Sequence, residues 1–141
     1  MRRVLFLLAA FAVLGGASNP PVEPAAVHAG SGLDGQWRNT RDTVHLRLSS
    51  CGEGVCGTVI WAVPQARADA LRGSGEDLIG KSLFREFERA DDGKWHGKIF
   101  IPDLNASASA TITQLDRDTL LVSGCLLLKI ACKTQHWWRL R

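Results

Sequence analysis

Two cysteines frame a turn near the end of this 141-residue sequence: Leu120-Leu-Val-Ser-Gly-Cys125 leads into it, and Cys132-Lys-Thr-Gln-His-Trp-Trp138-Arg139 leads out of it. Both flanks are rich in strand-favouring residues, so the segment reads as a β-hairpin whose inner ends a disulfide can join. Its second arm puts Gln135, Trp137 and Arg139 on one face, because side chains alternate along a strand. A strand ending in Trp and Arg has to rest on something. The natural partner is Gly35-Gln36-Trp37, at the other end of the domain.

Ahead of that domain lies the layout of an export signal. Arg2-Arg3 precedes an unbroken apolar run from Val4 to Leu14, and Gly15 and Ala17 supply small residues at the −3 and −1 sites of a cleavage point. Residues 1–17 are expected to be a signal peptide, with cleavage after Ala29 as the alternative. The run is shorter than the about 20 residues that span a bilayer, so no transmembrane anchor is expected. Residues 18–33 hold Pro20, Pro21 and Pro24 among Ala, Gly and Ser and read as a tether. The folded domain is expected over residues 34–141, in a periplasmic or secreted protein. Without Arg2 and Arg3, the 17 basic residues fall to 15 against 14 acids. A nearly neutral exported domain lacks the electrostatic footprint of a nucleic-acid binder.

Four cysteines in an exported chain are most simply two disulfides. Spacing favours Cys51–Cys56 and Cys125–Cys132, although arithmetic alone leaves three pairings open. Each local bridge would stabilise by about 2 kcal/mol. Neither spacing is that of a zinc site, and no metal is expected.

Strand patterns recur along the domain: Gly35–Asn39, Val44–Leu48, Gly57–Val63, the stretch around Leu83–Phe87, Trp95–Ile101, Ala106–Thr113, Thr119–Gly124 and the arm after Cys132. Turn residues separate them at Cys51–Cys56, Asp91–Lys94, Pro102–Asn105 and Asp116–Asp118. Pro64–Leu71 reads as a short helix or an ordered loop, stopped at Gly73. Ala106–Thr113 alternates small apolar with hydroxyl residues, as suits a strand with little room on its inner face. About eight short strands at hairpin spacing, with one short helix, describe an all-β antiparallel barrel or sandwich.

Several of these pieces belong together. Gly35-x-Trp37, Cys56-Gly57 before Val59-Ile60-Trp61, Gly80, Trp95-x-Gly97-Lys98-Ile99 with Pro102-Asp103, Thr119-Leu120-x-Val122-x-Gly124-Cys125 and Cys132-x-Thr134-Gln135-x-Trp137-x-Arg139 jointly resemble the exported bacterial family known as domain of unknown function 2147. The resemblance covers the domain from about Asp34 to Arg139. It departs after Pro102-Asp103, where Asn105-Ala106 and Ala108 replace the family's usual glycine-lysine turn and tyrosine, so no role for that tyrosine carries over. The resemblance implies a small eight-stranded lipocalin-like (calycin) barrel and no established activity. In such barrels a first-strand Trp packs beneath a last-strand Arg, and Trp37 and Arg139 stand where that arrangement needs them. An Arg over an indole contributes roughly 0.5–2 kcal/mol.

The chain has five tryptophans and five phenylalanines, of which Phe6 and Phe11 fall in the leader. The remaining rings either fill a small barrel, the simpler expectation, or line a cavity for one ligand. Trp37, Trp61, Trp95, Ile99, Trp137 and Arg139 are the ligand-cavity or barrel-closing candidates. His45, His96 and His136 have no carboxylate at metal-ligand spacing, and neither H-E-x-x-H nor G-x-S-x-G occurs. No catalytic residue and no cofactor is therefore assigned. Asp91-Asp92 and Asp116-x-Asp118 read as turn chemistry.

Leu126-Leu127-Leu128-Lys129-Ile130 is the odd feature, because a hairpin tip is ordinarily polar. It either tucks onto the domain's own core or forms an interaction hairpin toward a ligand, a protein partner, a second copy or a membrane. The leading expectation is an exported module for a small apolar or amphipathic ligand. The alternative is an envelope protein-interaction or self-associating module with a filled barrel, and an enzyme comes third.

Overall fold

Alternating apolar and polar side chains dispose each segment to put one face inward, and consecutive hairpins turn those segments into one sheet. The computed structural model describes residues 31–127 and 130–141; the expected signal peptide, most of the tether, Leu128 and Lys129 lie outside the described residues. The strands are β1 Gly35–Asn39, β2 Val44–Cys51, β3 Gly54–Ala62, β4 Ser82–Arg89, β5 Trp95–Ile101, β6 Ala106–Asp116, β7 Thr119–Cys125 and β8 Cys132–Arg139. Each pairs antiparallel with the next, and β8 returns to β1, giving a closed eight-stranded barrel without a free edge. Trp37 faces Arg139, Arg38 faces Trp138 and Asn39 faces Trp137 along the closing seam.

Because successive strands alternate direction, the connections gather at two ends. The floor collects residues 31–34, the β2–β3 hairpin, the β4–β5 turn and the β6–β7 turn. The mouth collects the β1–β2 turn, the link from β3 to β4, a 3₁₀ turn over Pro102–Leu104 and the β7–β8 hairpin. A helix, α1 Pro64–Ser74, occupies the β3–β4 link. It opens on its proline and ends at Gly75, which adopts a left-handed conformation and donates its N–H to the Leu71 carbonyl at 2.9 Å.

Gly73 does not stop α1, as composition suggested, but lies inside it. A Cβ there would run into the carbonyl oxygens of Pro102 and Asp103, so this glycine lets the helix settle on the 3₁₀ turn. Ser31–Leu33, read from composition as the end of the tether, join the floor: Leu33 is fully buried.

Two bulges decide which residues face inward. On β3, Leu46 pairs with Val59 and His45 with Trp61, leaving Ile60 as an extra residue. Val55, Gly57 and Val59 point in by simple alternation, and the extra residue then turns Trp61 outward and Ala62 inward. On β4 the register shifts between Arg85 and Glu88, with Glu86 in the left-handed region. Phe84 and Phe87 are thereby both buried despite their odd spacing.

Candidate functional site

The floor is built around Trp37, which is fully buried. The Arg139 guanidinium carbon lies 4.2 Å from the centroid of its ring. Arg139 donates from Nη1 to the Asp34 carbonyl at 2.6 Å, from Nη2 to the Gly32 carbonyl at 2.9 Å and from Nε to the Arg117 carbonyl at 3.0 Å. The Trp37 indole donates to the Leu33 carbonyl at 2.8 Å. A planar fork with donors at all three nitrogens suits this task, and a lysine could not reproduce it. Gly35 adopts φ +133°, and a Cβ there would come within 2.6 Å of Arg139 Nη1. The glycine of Gly-x-Trp is thus the space through which the last strand's arginine reaches the first strand.

Above the floor, Leu48, Val55, Phe87, Trp95, Ile112 and Leu120 fill the interior. Filling stops near mid-height. A cavity of about 480 Å³ occupies the mouth half, walled chiefly by Leu83, Phe84, Ile99, Ala108, Val122 and Trp137. On β6 Ala108 brings only a methyl group to this wall, and on β7 Gly124 admits the Ile99 side chain, which a Cβ there would strike. Of the small inward residues of β6, Ala108 lines this cavity, whereas Ala110 is packed in the core. Trp137 meets Phe84 edge-on, with ring centroids 5.4 Å apart.

The polar groups in this wall differ in what they do. Asn39 Oδ1 accepts the N–H groups of Thr43 and Val44, at 2.8 and 3.1 Å, and its Nδ2 donates to Thr43 Oγ1 at 2.9 Å. That amide belongs to the β1–β2 turn. The Gln135 amide lines the same cavity, is half-buried and has no hydrogen-bond partner among the described residues. Lys133 and Asp103 are the charged residues of the lining, both exposed at the mouth.

The sequence candidates separate into four places. Ile99 and Trp137 line the cavity, and Trp95 is buried in the filled half. Trp37 and Arg139 form the floor. Trp61 is on the outer wall, 43% exposed, and does not line the cavity; the β3 bulge is the reason. There it ends a row of directly paired residues, Trp138–Arg38–His45–Trp61, running across β8, β1, β2 and β3. The Arg38 guanidinium carbon is 4.8 Å from the Trp138 ring centroid, and the His45 and Trp61 rings are 4.4 Å apart. Cross-strand pairs of this kind stabilise a sheet by roughly 0.2–1 kcal/mol each.

The histidines outside the cavity have local partners. His45 Nε2 lies 2.6 Å from Asp42 Oδ1, and His96 Nε2 lies 2.9 Å from Asp92 Oδ2. The backbone N–H of Lys94 first, and His96 second, hold the Asp92 carboxyl below the usual carboxylate range. His136 stands parallel to Trp138 on the outside of β8. Asp116 accepts the N–H of Asp118 at 2.8 Å, a turn contact.

Both local disulfides are formed, Cys51–Cys56 at the floor and Cys125–Cys132 at the mouth. Of the interaction hairpin, Leu126 lines the cavity, whereas Leu127 is 79% and Ile130 70% exposed. Leu128 lies outside the described residues.

A family model for an uncharacterized protein conserved in bacteria, DUF2147, matches residues 35–139. The chain belongs to the DUF2147 family. The match starts at Gly35 and ends at Arg139, the two residues that meet across the floor. No curated protein matches this DUF2147 chain. Among solved structures it is similar to a protein of the human pathogen Helicobacter pylori described as belonging to the lipocalin family. That likeness has a TM-score of 0.59 and 12% identity, and covers 77% of this chain and 83% of the other. It establishes a lipocalin-like fold for the DUF2147 domain. No helix among its described residues is long and apolar enough to cross a membrane.

Sequence reasoning placed Gln135 on the face of Trp137 and Arg139 but assigned it no role, and it passed over Lys133. The same period of two carries that face back to Lys133 and would have found it.

Proposed function

We propose that this DUF2147 protein is an exported binding module that holds one small apolar or amphipathic molecule in the mouth half of its barrel. The observation behind this reading is the apolar cavity of about 480 Å³ above the Trp37–Arg139 floor. Ligand pockets commonly have volumes of about 300–1,000 Å³ with mainly apolar walls and a few polar groups. Export rests on the N-terminal leader and on two disulfides, which persist in oxidising compartments. Mature protein from its own envelope is expected to begin after Ala17 or Ala29 and to lack free thiols.

The binding test uses the cavity wall. Ala108→Leu fills space beside Ile99 and is expected to abolish uptake of a fluorescent fatty-acid-like probe while the thermal midpoint holds. Native mass spectrometry of envelope-purified protein gives a second readout. A parent protein that takes up no probe and carries no small molecule refutes the reading.

A second reading has its own observation. Leu127 and Ile130 are largely in solvent, which favours a protein partner or a homodimer at the hairpin. Sedimentation decides the self-association form: Leu127→Asp is expected to dissociate any dimer without unfolding the domain, and a monomeric parent removes it.

A further inference from the structure

We infer that the ligand is an anionic amphiphile bound tail-down, its acidic head held at the mouth by Lys133 and Gln135 and its tail lying against Trp137. This deepens the binding-module reading and rests on it. The inward face of β8 runs from mouth to floor as Lys133, Gln135, Trp137 and Arg139, so cation, amide and indole follow one another down a single wall. Arg139 is engaged at the floor by three backbone carbonyls and is closed off from a ligand. The Lys133 side chain has no ion-pair or hydrogen-bond partner among the described residues, and neither has the Gln135 side chain. The contrast with Asn39 is the telling point. Of the two amides in the lining, one is engaged by the β1–β2 turn and the other faces the cavity without a hydrogen-bond partner among the described residues.

The chemistry of those groups selects the head. A lysine ammonium only donates, and a carboxamide donates through its nitrogen, so together they suit a carboxylate or a phosphate ester as acceptor. Asp103 is the other charged lining residue. It comes from the Pro102–Leu104 turn and also borders the cleft beneath α1, with Ala66 and Ala70. The geometry of one wall also sets a scale. The four steps from Lys133 to Trp137 span roughly 13 Å at the rise of a strand, which accommodates a medium-length alkyl chain.

The experiment compares dodecanoate, dodecanol and dodecylammonium as displacers of a neutral fluorescent probe, on the parent and on Lys133→Met, Gln135→Leu and Asp103→Asn. Circular dichroism and thermal midpoints verify that each variant folds. Dodecanoate is expected to bind about tenfold more tightly than dodecanol, the scale of one charge-assisted contact. That advantage should fall as salt is raised, because Lys133 is exposed. Lys133→Met should bring dodecanoate to the level of dodecanol. Gln135→Leu should weaken both, since its amide serves either head. Asp103→Asn should leave dodecanoate binding equal or tighter.

Equal binding of all three amphiphiles overturns the head-group assignment while leaving the cavity reading intact. A preference for dodecylammonium overturns it in favour of Asp103 as the selector, and weaker dodecanoate binding in Asp103→Asn overturns it as well. If no amphiphile displaces the probe, the inference fails whatever the probe itself reports. If the probe does not bind either, the binding-module reading falls with it.

Discussion

At the floor of the barrel all three nitrogens of Arg139 donate to backbone carbonyls and Leu33 and Trp37 are fully buried; at the mouth the Gln135 and Lys133 side chains have no partner among the described residues, and Leu127 and Ile130 stand in solvent. The asymmetry extends to the surface. Of the large apolar side chains exposed among the described residues, Trp61, Leu71, Ile79, Leu104, Leu127 and Ile130 lie toward the mouth, and Leu115 alone lies toward the floor. At the floor Arg139, Trp37 and Leu33 are satisfied and packed within the chain, whereas among the described residues of the mouth polar and apolar side chains are left without partners. Stability and binding can be separated by position along a single barrel, because each strand carries residues of both ends.

Breaking the floor should have the largest effect. Trp37→Ala removes a fully buried indole and is expected to cost about 3–5 kcal/mol. In a domain of this size that is about 15 °C or more in Tm, measurable by calorimetry. Arg139→Ala follows at about 2–3 kcal/mol, from the lost stacking and charged hydrogen bonds. Arg139→Lys should recover little of it. A denaturation midpoint for Arg139→Ala within the range of ordinary surface changes, about 0.5 kcal/mol, would show that the two ends do not differ in the way described.

The disulfides sharpen the comparison, since one sits at each end. Replacing either pair by serines should cost about 2 kcal/mol, because both close short loops. Cys51–Cys56 ties a tip of Gly52 and Glu53 far from the cavity, whereas Cys125 and Cys132 bracket Leu126 and Ala131, which line it. Probe binding should therefore survive loss of the first bridge and weaken with loss of the second. Equal effects on binding would mean that the mouth depends on the whole barrel.

The smallest effect concerns the edge of the mouth. Arg67 on α1 pairs with Asp77 in the segment before β4, with Nε donating to Oδ1 at 3.1 Å. The Arg67 hydrogen bonds, and next the N–H of Ile79, depress the Asp77 carboxyl from its ordinary 3.8 to about 2. A depressed acid contributes stability above its unfolded value and loses it as pH falls through its folded value. The contact should therefore be fully present above about pH 4 and lost toward about pH 2. Asp77→Asn should melt slightly below the parent at pH 6, and the two should converge across that window. A gap that persists at pH 2 would locate the effect elsewhere. Because the pair is exposed, the shift should be the least of those named.

Much of this molecule was legible along the chain. The eight strands, the local disulfides and the pairing of Trp37 with Arg139 follow from alternation, turn residues, cysteine spacing and motifs at the two ends. These are local or terminal signals, and each is stated by a few neighbouring residues. The outward turn of Trp61, the burial of both Phe84 and Phe87 and the role of Gly73 inside α1 were not legible. A bulge is a property of two strands in register, so no single strand's period announces it. The cavity is likewise a sum over strands: its wall joins Leu83 and Phe84 of β4, Ile99 of β5, Ala108 of β6, Val122 of β7 and Trp137 of β8, and no single strand's period announces the space between them. Sequence by itself determined which side chains alternate and where the ring of strands closes. Tertiary structure decided which interior positions stay empty and which amide, among the described residues, is left without a partner, because volume and hydrogen-bond satisfaction are settled between elements, not within them.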